Sequence, residues 1–265
     1  MKVSIIMAYY NRRELFINTL KSIKESTIKD IEVIVIDDAS KESERLEDLL
    51  PNSPFLRVVR VEKKDKWWVN PCIPYNMGIA QAKGDIIILQ NPECYHIGDV
   101  LKYITKTLTD EIYISVSAYA YGEKYAGKLD TMLANFSTLP QQIYKNEIGW
   151  YNHAVYCPVY YHFCSAITRK NMRLLGGFDE RYAYGIAYDD NEFVDRVGRL
   201  GLIKLLPSKV SVMHQWHSKV EHLHAQNYRK NLERNKILYA VLTANEDSVY
   251  KENQFLDKVN AYGTV

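Results

Sequence analysis

The chain has 265 residues, 47% of them hydrophobic, with a formal net charge of +2. That supports one large domain, or one domain with an appendage, around a real core. The charge is too balanced for a basic nucleic-acid face, so no nucleic-acid partner is expected. In chain order, VSIIMAYY is a short apolar strand, and RRELFINTLKSIKES places Leu15, Phe16, Thr19, Leu20 and Ile23 at helical spacing. IEVIVIDDAS has the β-branched run of a strand covered on both faces. SERLEDLL predicts a short helix stopped by Pro51, LRVVRVE a third strand, PYNMGIAQAKG a helix and GDIIILQN a fourth strand. This alternation predicts a parallel sheet with helices on its faces and a ligand beyond the carboxyl ends of the strands. Those ends are Ala8 to Arg12, Asp37 to Ser40 and Gln90 to Glu93.

The second half is less regular. GDVLKYITKTL predicts a helix and IYISVSAYAYG a single strand, followed by a polar, aromatic and weakly periodic stretch over 122–160. Such long irregular stretches are often functional. YHFCSAITR reads as a strand, KNMRLLGG as a short helix, DDNEFVDRVGRLG as a clear helix, and Lys219 to Asn245 as a long polar helix. No apolar run reaches the roughly 18 residues that span a bilayer, so no transmembrane segment is expected. MKVSIIMAYYNRRE reads as a strand, not a secretion signal. Cys72, Cys94, Cys157 and Cys164 show no CxxC spacing and read as reduced thiols. Together these features predict a cytoplasmic protein, free or peripheral to a membrane.

Several segments carry chemistry. Asp37 and Asp38 end a buried strand, where carboxylates are costly unless solvated or used. Asp38 either caps the SERLEDLL helix or accepts hydrogen bonds from a nucleotide, and Ala8, Tyr10 and Arg12 lie at the neighbouring strand end. Asn76 and Gly78 open a helix whose N-terminal end favours close backbone approach to an anion. In YDDNEFVDRV, Asp190, Phe193, Val194 and Val197 share a helical face, which places Asp190 inward at the first turn and Asp189 about 100° away. Asp190 is there a cap or a site residue, kept ionised by the helix dipole. His214 ends the strand-like run SVMH and is a ligand candidate, whereas His217 reads as a surface histidine. His153 and His162 lie in the irregular middle and are either substrate contacts or, the better reading from the residues alone, ordinary structural histidines.

Taken together, AYYNRRE, VIDDAS, the Asn-x-Gly helix and the QNPE strand end resemble the donor half of a family 2 glycosyltransferase of GT-A fold. GGFDERYAYGIAYDDNEF resembles the acceptor half of galactosyltransferase-type and chondroitin-polymerase-type enzymes. The resemblance implies an α/β fold with a mostly parallel sheet: a GT-A domain over 1–218, its donor half about 1–100 and its acceptor half about 101–218, then a helical extension over 219–265. It implies transfer of a sugar from a nucleotide sugar, a UDP-sugar, to a hydroxyl of a glycan or other acceptor, with inversion. Ala8, Tyr10, Arg12, Asp38, Asn76, Gln90 and Asn91 would bind the donor. Asp190 would be the general base, and Asp189, Trp150, His162 and Tyr184 would meet the acceptor. Glu93 and His214 would hold a divalent cation, manganese before magnesium. The departure is the metal motif: Gln90, Asn91 and Pro92 stand where such families carry Asp-x-Asp. The rival reading is a non-catalytic nucleotide-sugar or glycan-binding module.

Overall fold

The computed structural model describes residues 1–218 and 227–244. The first half contains β1 (Val3–Tyr9), α1 (Arg13–Glu25), β2 (Ile31–Asp37), β3 (Leu56–Arg60), α2 (Cys72–Gln81), β4 (Ile86–Gln90), β5 (Cys94–Ile97) and α3 (Val100–Thr107). The second contains β6 (Ile112–Ser115), β7 (Ser117–Tyr121), α4 (Leu129–Ala134), β8 (Ile148–Asn152), β9 (Cys164–Thr168), α5 (Arg169–Leu175), α6 (Asp189–Arg199), β10 (Ile203–Leu205), β11 (Ser211–His214) and α7 (Tyr228–Ala244). A seven-stranded sheet runs β10-β6-β9-β4-β1-β2-β3, and a four-stranded sheet runs β5-β11-β7-β8. β1 pairs in parallel with both β2 and β4, while β9 is antiparallel to both its neighbours.

The apolar run of β1 serves two cores because successive strand residues point to opposite faces. Val3, Ile5 and Met7 pack with Phe16, Leu20 and Ile23 of α1 and Val100, Leu101 and Ile104 of α3. Ile6 joins Ile73 and Ile79 of α2, Met172 and Leu175 of α5, and Phe193 and Val197 of α6 on the other face. A Cβ at Gly78 would collide with the Ile6 side chain, so this glycine is what lets α2 lie close on the sheet. A satellite core of Tyr119, Met132, Trp150 and Met213 fills the smaller sheet. All four cysteines are free thiols.

The structure departs from the sequence expectations in three places. SERLEDLL forms two 3-10 segments, Glu42–Glu44 and Glu47–Asn52, since Leu46 is its one fully buried side chain and Pro51 removes a donor. IYISVSAYAYG is two strands in two sheets: at Val116 the chain crosses over, its N–H donating to Cys164 O. The stretch 122–160 contains α4 and β8, and β5 and β10 are further short strands that no clear pattern announces. Of the tail helix expected from Lys219 to Asn245, Tyr228–Ala244 is helical, and 219–226 and Asn245 lie outside the described residues. No helix among the described residues is long and apolar enough to cross a membrane.

Candidate active site

A cleft of about 490 Å3 opens at the carboxyl ends of β1, β2 and β4 and is closed on the far side by the start of α6. Asp37 and Asp38 divide their work there. Asp37, last in β2, is fully buried and pairs with Arg60 at 2.8 Å, a structural contact. Asp38 faces the cleft, accepting from Lys66 Nζ at 2.8 Å and Trp68 Nε1 at 3.0 Å. Lys66 also lies 5.0 Å over the Tyr10 ring. Two loops frame this end: the Asn11 N–H donates to Ser40 Oγ at 3.0 Å, and the Lys41 N–H donates to Asn11 Oδ1 at 2.8 Å.

Beside the cleft at Arg12, Asn91 and Pro92 lies a carboxylate–histidine cluster. Glu93 is 1% exposed; its Oε2 accepts from Arg12 Nη1 at 2.8 Å, and its Oε1 lies 3.2 Å from His214 Nε2 and 3.4 Å from His217 Nε2. Burial alone would raise the Glu93 pKa, but Arg12 and the two histidines hold it well below the usual carboxylate range. Burial also pulls His214 below its usual range against the opposing pull of Glu93, which keeps the imidazole neutral, as a metal ligand must be. The donor set fits a divalent ion. Ligands about 2.1 Å from an ion stand about 3 Å apart when adjacent, close to the spacings here. Two imidazoles with one carboxylate suit a first-row transition ion better than magnesium or calcium. Gln215 braces the cluster, its Nε2 donating to Glu93 O at 3.0 Å and to Leu15 O at 3.1 Å.

A second cluster lies at the start of α6. Asp190 Oδ1 pairs with His162 Nδ1, and the Asp190 side chain, 32% exposed, lines the cleft. Asp189 is the more buried of the two, 5% exposed, and accepts from Asn70 Nδ2 at 2.9 Å. This corrects the expected helical phase. Phe193, Val194 and Val197 are buried as expected, but the stripe continues through Arg196 and Glu192 to Asp189, and the Glu192–Arg196 ion pair masks that polar part of it. Arg196 spends its other donors on Leu175 O and Gly177 O. Burial, with Asp190 adding to it, pushes Asp189 up to about 6. Burial would lower His162, but Asp190 outweighs it and raises the imidazole above its usual value. Ala187 and Tyr188, at φ of 59° and 65°, turn the chain into α6. Asn235 of α7 holds that turn, donating to Tyr182 O and Ala187 O at 3.0 Å each.

Of the residues singled out from sequence, Ala8, Tyr10, Arg12, Asp38, Asn91, His162, Asp189 and Asp190 line the cleft, and Glu93 and His214 adjoin it. Five do not line it, among them His153, which packs against Trp150 and Tyr156. Asn76 is buried and bonded to both the N–H and the carbonyl of Phe178, fixing α2 to the following loop. Gln90 is spent on Cys94 O and His96. Trp150 packs edge-on to Tyr119 in the satellite core and donates to Gln141. Tyr184 is 56% exposed and rests against Trp67 outside the cleft. Sequence reading missed His217, Lys66, Trp68, Tyr75, Asn70 and Asn231. The H-x-x-H spacing was a signal for His217, and the KWW run a signal for the loop that meets Asp38.

Solved structures share this fold. The mannosyltransferase PcManGT from Pyrobaculum calidifontis, in complex with GDP-Man and Mn2+, is 16% identical with a TM-score of 0.57, covering 98% of this chain and 73% of that one. Residues 1–349 of S. aureus TarS, in complex with UDP-GlcNAc, are 16% identical with a TM-score of 0.60, covering 99% and 71%. The uncharacterized glycosyltransferase YwdF of Bacillus subtilis (strain 168) is 25% identical over 126 residues, which span 47% of this chain and 45% of that relative. Residues 4–175, well over half of the chain, match the model of glycosyl transferase family 2, and the protein belongs to that family.

Proposed function

We propose that the protein transfers a sugar from a UDP-sugar to an acceptor hydroxyl with inversion, and that Asp190 is the general base. The observation that carries this reading is the meeting of three groups round one cleft: a carboxylate receptor at Asp38, a metal-type cluster at Glu93, His214 and His217, and a partly exposed acid at Asp190. Asp38, held by Lys66 and Trp68, accepts an N–H of the base edge, and the Tyr10 ring covers the base. Glu93, His214 and His217 would hold a divalent ion, which would supply positive charge against the departing diphosphate. Asp190 takes the acceptor proton as the hydroxyl oxygen bonds to the anomeric carbon. The bond from that carbon to the diphosphate breaks on the opposite face, and the nucleoside diphosphate leaves. Asp189, neutral or charged within the ordinary pH range, orients the acceptor alongside.

The relatives support a nucleotide-sugar donor and a manganese site, one being bound to GDP-Man with Mn2+ and another to UDP-GlcNAc. The choice of uridine rests on Asp38 alone. A panel of UDP- and GDP-sugars, with and without manganese, tests the reading by thermal shift and by release of nucleoside diphosphate. Stabilisation and release with UDP-sugars plus manganese are expected. Stabilisation without release from any donor would favour a binding module, and no response at all would refute the reading.

A further inference from the structure

Asp190 has two oxygens, and the structure treats them differently. Oδ1 is paired with His162 Nδ1, and the His162 backbone N–H lies 3.4 Å from the same oxygen. Among the described residues Oδ2 has no protein partner, and the side chain is open to the cleft. We propose that His162 is a positioning residue: its Nδ1–H clamps one oxygen of Asp190 so that the other faces the acceptor hydroxyl. The proposal rests on the reading of Asp190 as base.

The clamp is itself rigid. His162 is 6% exposed, with its ring edge-on to Tyr75 at 4.8 Å and to Phe178 at 5.1 Å. The segment that carries it is pinned on both sides. Tyr161 O accepts from Ser115 Oγ at 2.8 Å, Tyr161 OH accepts from Asn191 Nδ2 at 2.7 Å, and Phe163 O accepts from the Asn91 N–H at 3.1 Å. Asn191 is the residue after Asp190, so the pinning fixes His162 against the very turn of α6 that carries the base. A carboxylate on a first helical turn would otherwise rotate about its last torsion, which is broad. With Oδ1 fixed, a single oxygen points at the substrate. In the transfer step the hydroxyl proton goes to Oδ2. Oδ1 becomes the carbonyl oxygen of the neutral acid and still accepts from Nδ1–H, so the histidine neither gains nor loses a proton.

Two substitutions separate clamping from packing. His162→Asn keeps an N–H donor close to the place of Nδ1 and loses the ring. His162→Phe keeps the ring against Tyr75 and Phe178 and loses the donor. UDP release from UDP-sugars with manganese gives kcat and KM, and calorimetry gives UDP affinity. Phe is expected to lower kcat by about 10- to 100-fold with donor KM little changed, and Asn to stay within about threefold of wild type, as misorientation of a reacting group predicts. Wild-type kcat in the Phe variant, or equal losses in Phe and Asn, would overturn the clamp. Asp190→Asn run beside them keeps the two ideas apart: if it retains turnover, the reading of the base fails, and if it loses turnover while Phe does not, only the clamp fails. A measurement without any change at His162 guards against misfolded variants. In 15N-edited NMR of the wild type, the His162 Nδ1–H proton is expected far downfield, moving upfield in Asp190→Ala. An unmoved signal would also overturn the proposal.

Discussion

Replacing Asp189 by asparagine should stabilise the protein, and by an amount that grows with pH. Asp189 sits at 5% exposure next to Asp190, and its carboxyl is raised from 3.8 to about 6. A raised acid binds its proton more tightly in the folded state than in the unfolded chain, so unfolding releases protons and stability falls as pH rises between the two values. The penalty begins above pH 3.8, grows through pH 6 and is complete above it. That rise corresponds to a penalty on the order of 3 kcal/mol at pH 7.5 and about half of it at pH 5. Asparagine keeps Oδ1 as acceptor for Asn70 Nδ2 and never ionises, so it escapes the penalty. Urea unfolding of both proteins at pH 5, 6 and 7.5 measures the difference. The variant is expected to be the more stable at all three values, with a gain at pH 7.5 about twice that at pH 5. A gain that does not change with pH, or a variant less stable at pH 7.5, would refute the reasoning. The wild-type residue would then not be a costly ion retained beside the base.

Three other outcomes are expected. Glu93→Gln and His217→Ala should each raise the manganese concentration for half-maximal UDP release by about tenfold or more, since each weakens or removes a ligand; an unchanged titration would unseat the cluster. Asp38→Ala should erase a preference for UDP over GDP and ADP worth about 1–3 kcal/mol, read by calorimetry; an intact preference would place the base elsewhere. Asn235→Ala strands Tyr182 O and Ala187 O without their donor and should cost about 1–3 kcal/mol in urea unfolding, with turnover falling alongside because the turn leads into α6. Full turnover in that variant would make α7 a bystander to the site.

The first half was readable because its central strands are buried on both faces. Ile5, Ile6, Val33, Val35 and Ile88 leave no ambiguity about a covered sheet, and the carboxyl-end rule then points to Arg12, Asp38 and the Glu93 turn. The rest was harder for three physical reasons. β5 and β10 are four and three residues long, too short for a period to declare itself. The buried face of α6 carries an internal ion pair, so its apolar pattern starts late and misphases the two acids. Asn76 and Gln90 are polar because they bond to backbone and to a neighbouring side chain inside the core, and a polar residue at a strand or helix end gives no hint of which use it has. His217 was lost for the opposite reason: its partner Glu93 lies 124 positions away in sequence, and only the fold brings them together.

The most direct measurement is UDP release from UDP-sugars in the presence of manganese, compared between the wild type and Asp190→Asn. Asp190 is not the cap of α6, whose N-cap is Tyr188, and asparagine keeps the Oδ1 acceptor that faces His162, so folding and UDP affinity should hold. It cannot take a proton from a hydroxyl, so turnover is expected to fall by about 100-fold or more, the scale of general-base catalysis. Turnover near wild type in Asp190→Asn, with UDP bound as before, would contradict the assignment of the base and with it the proposed mechanism.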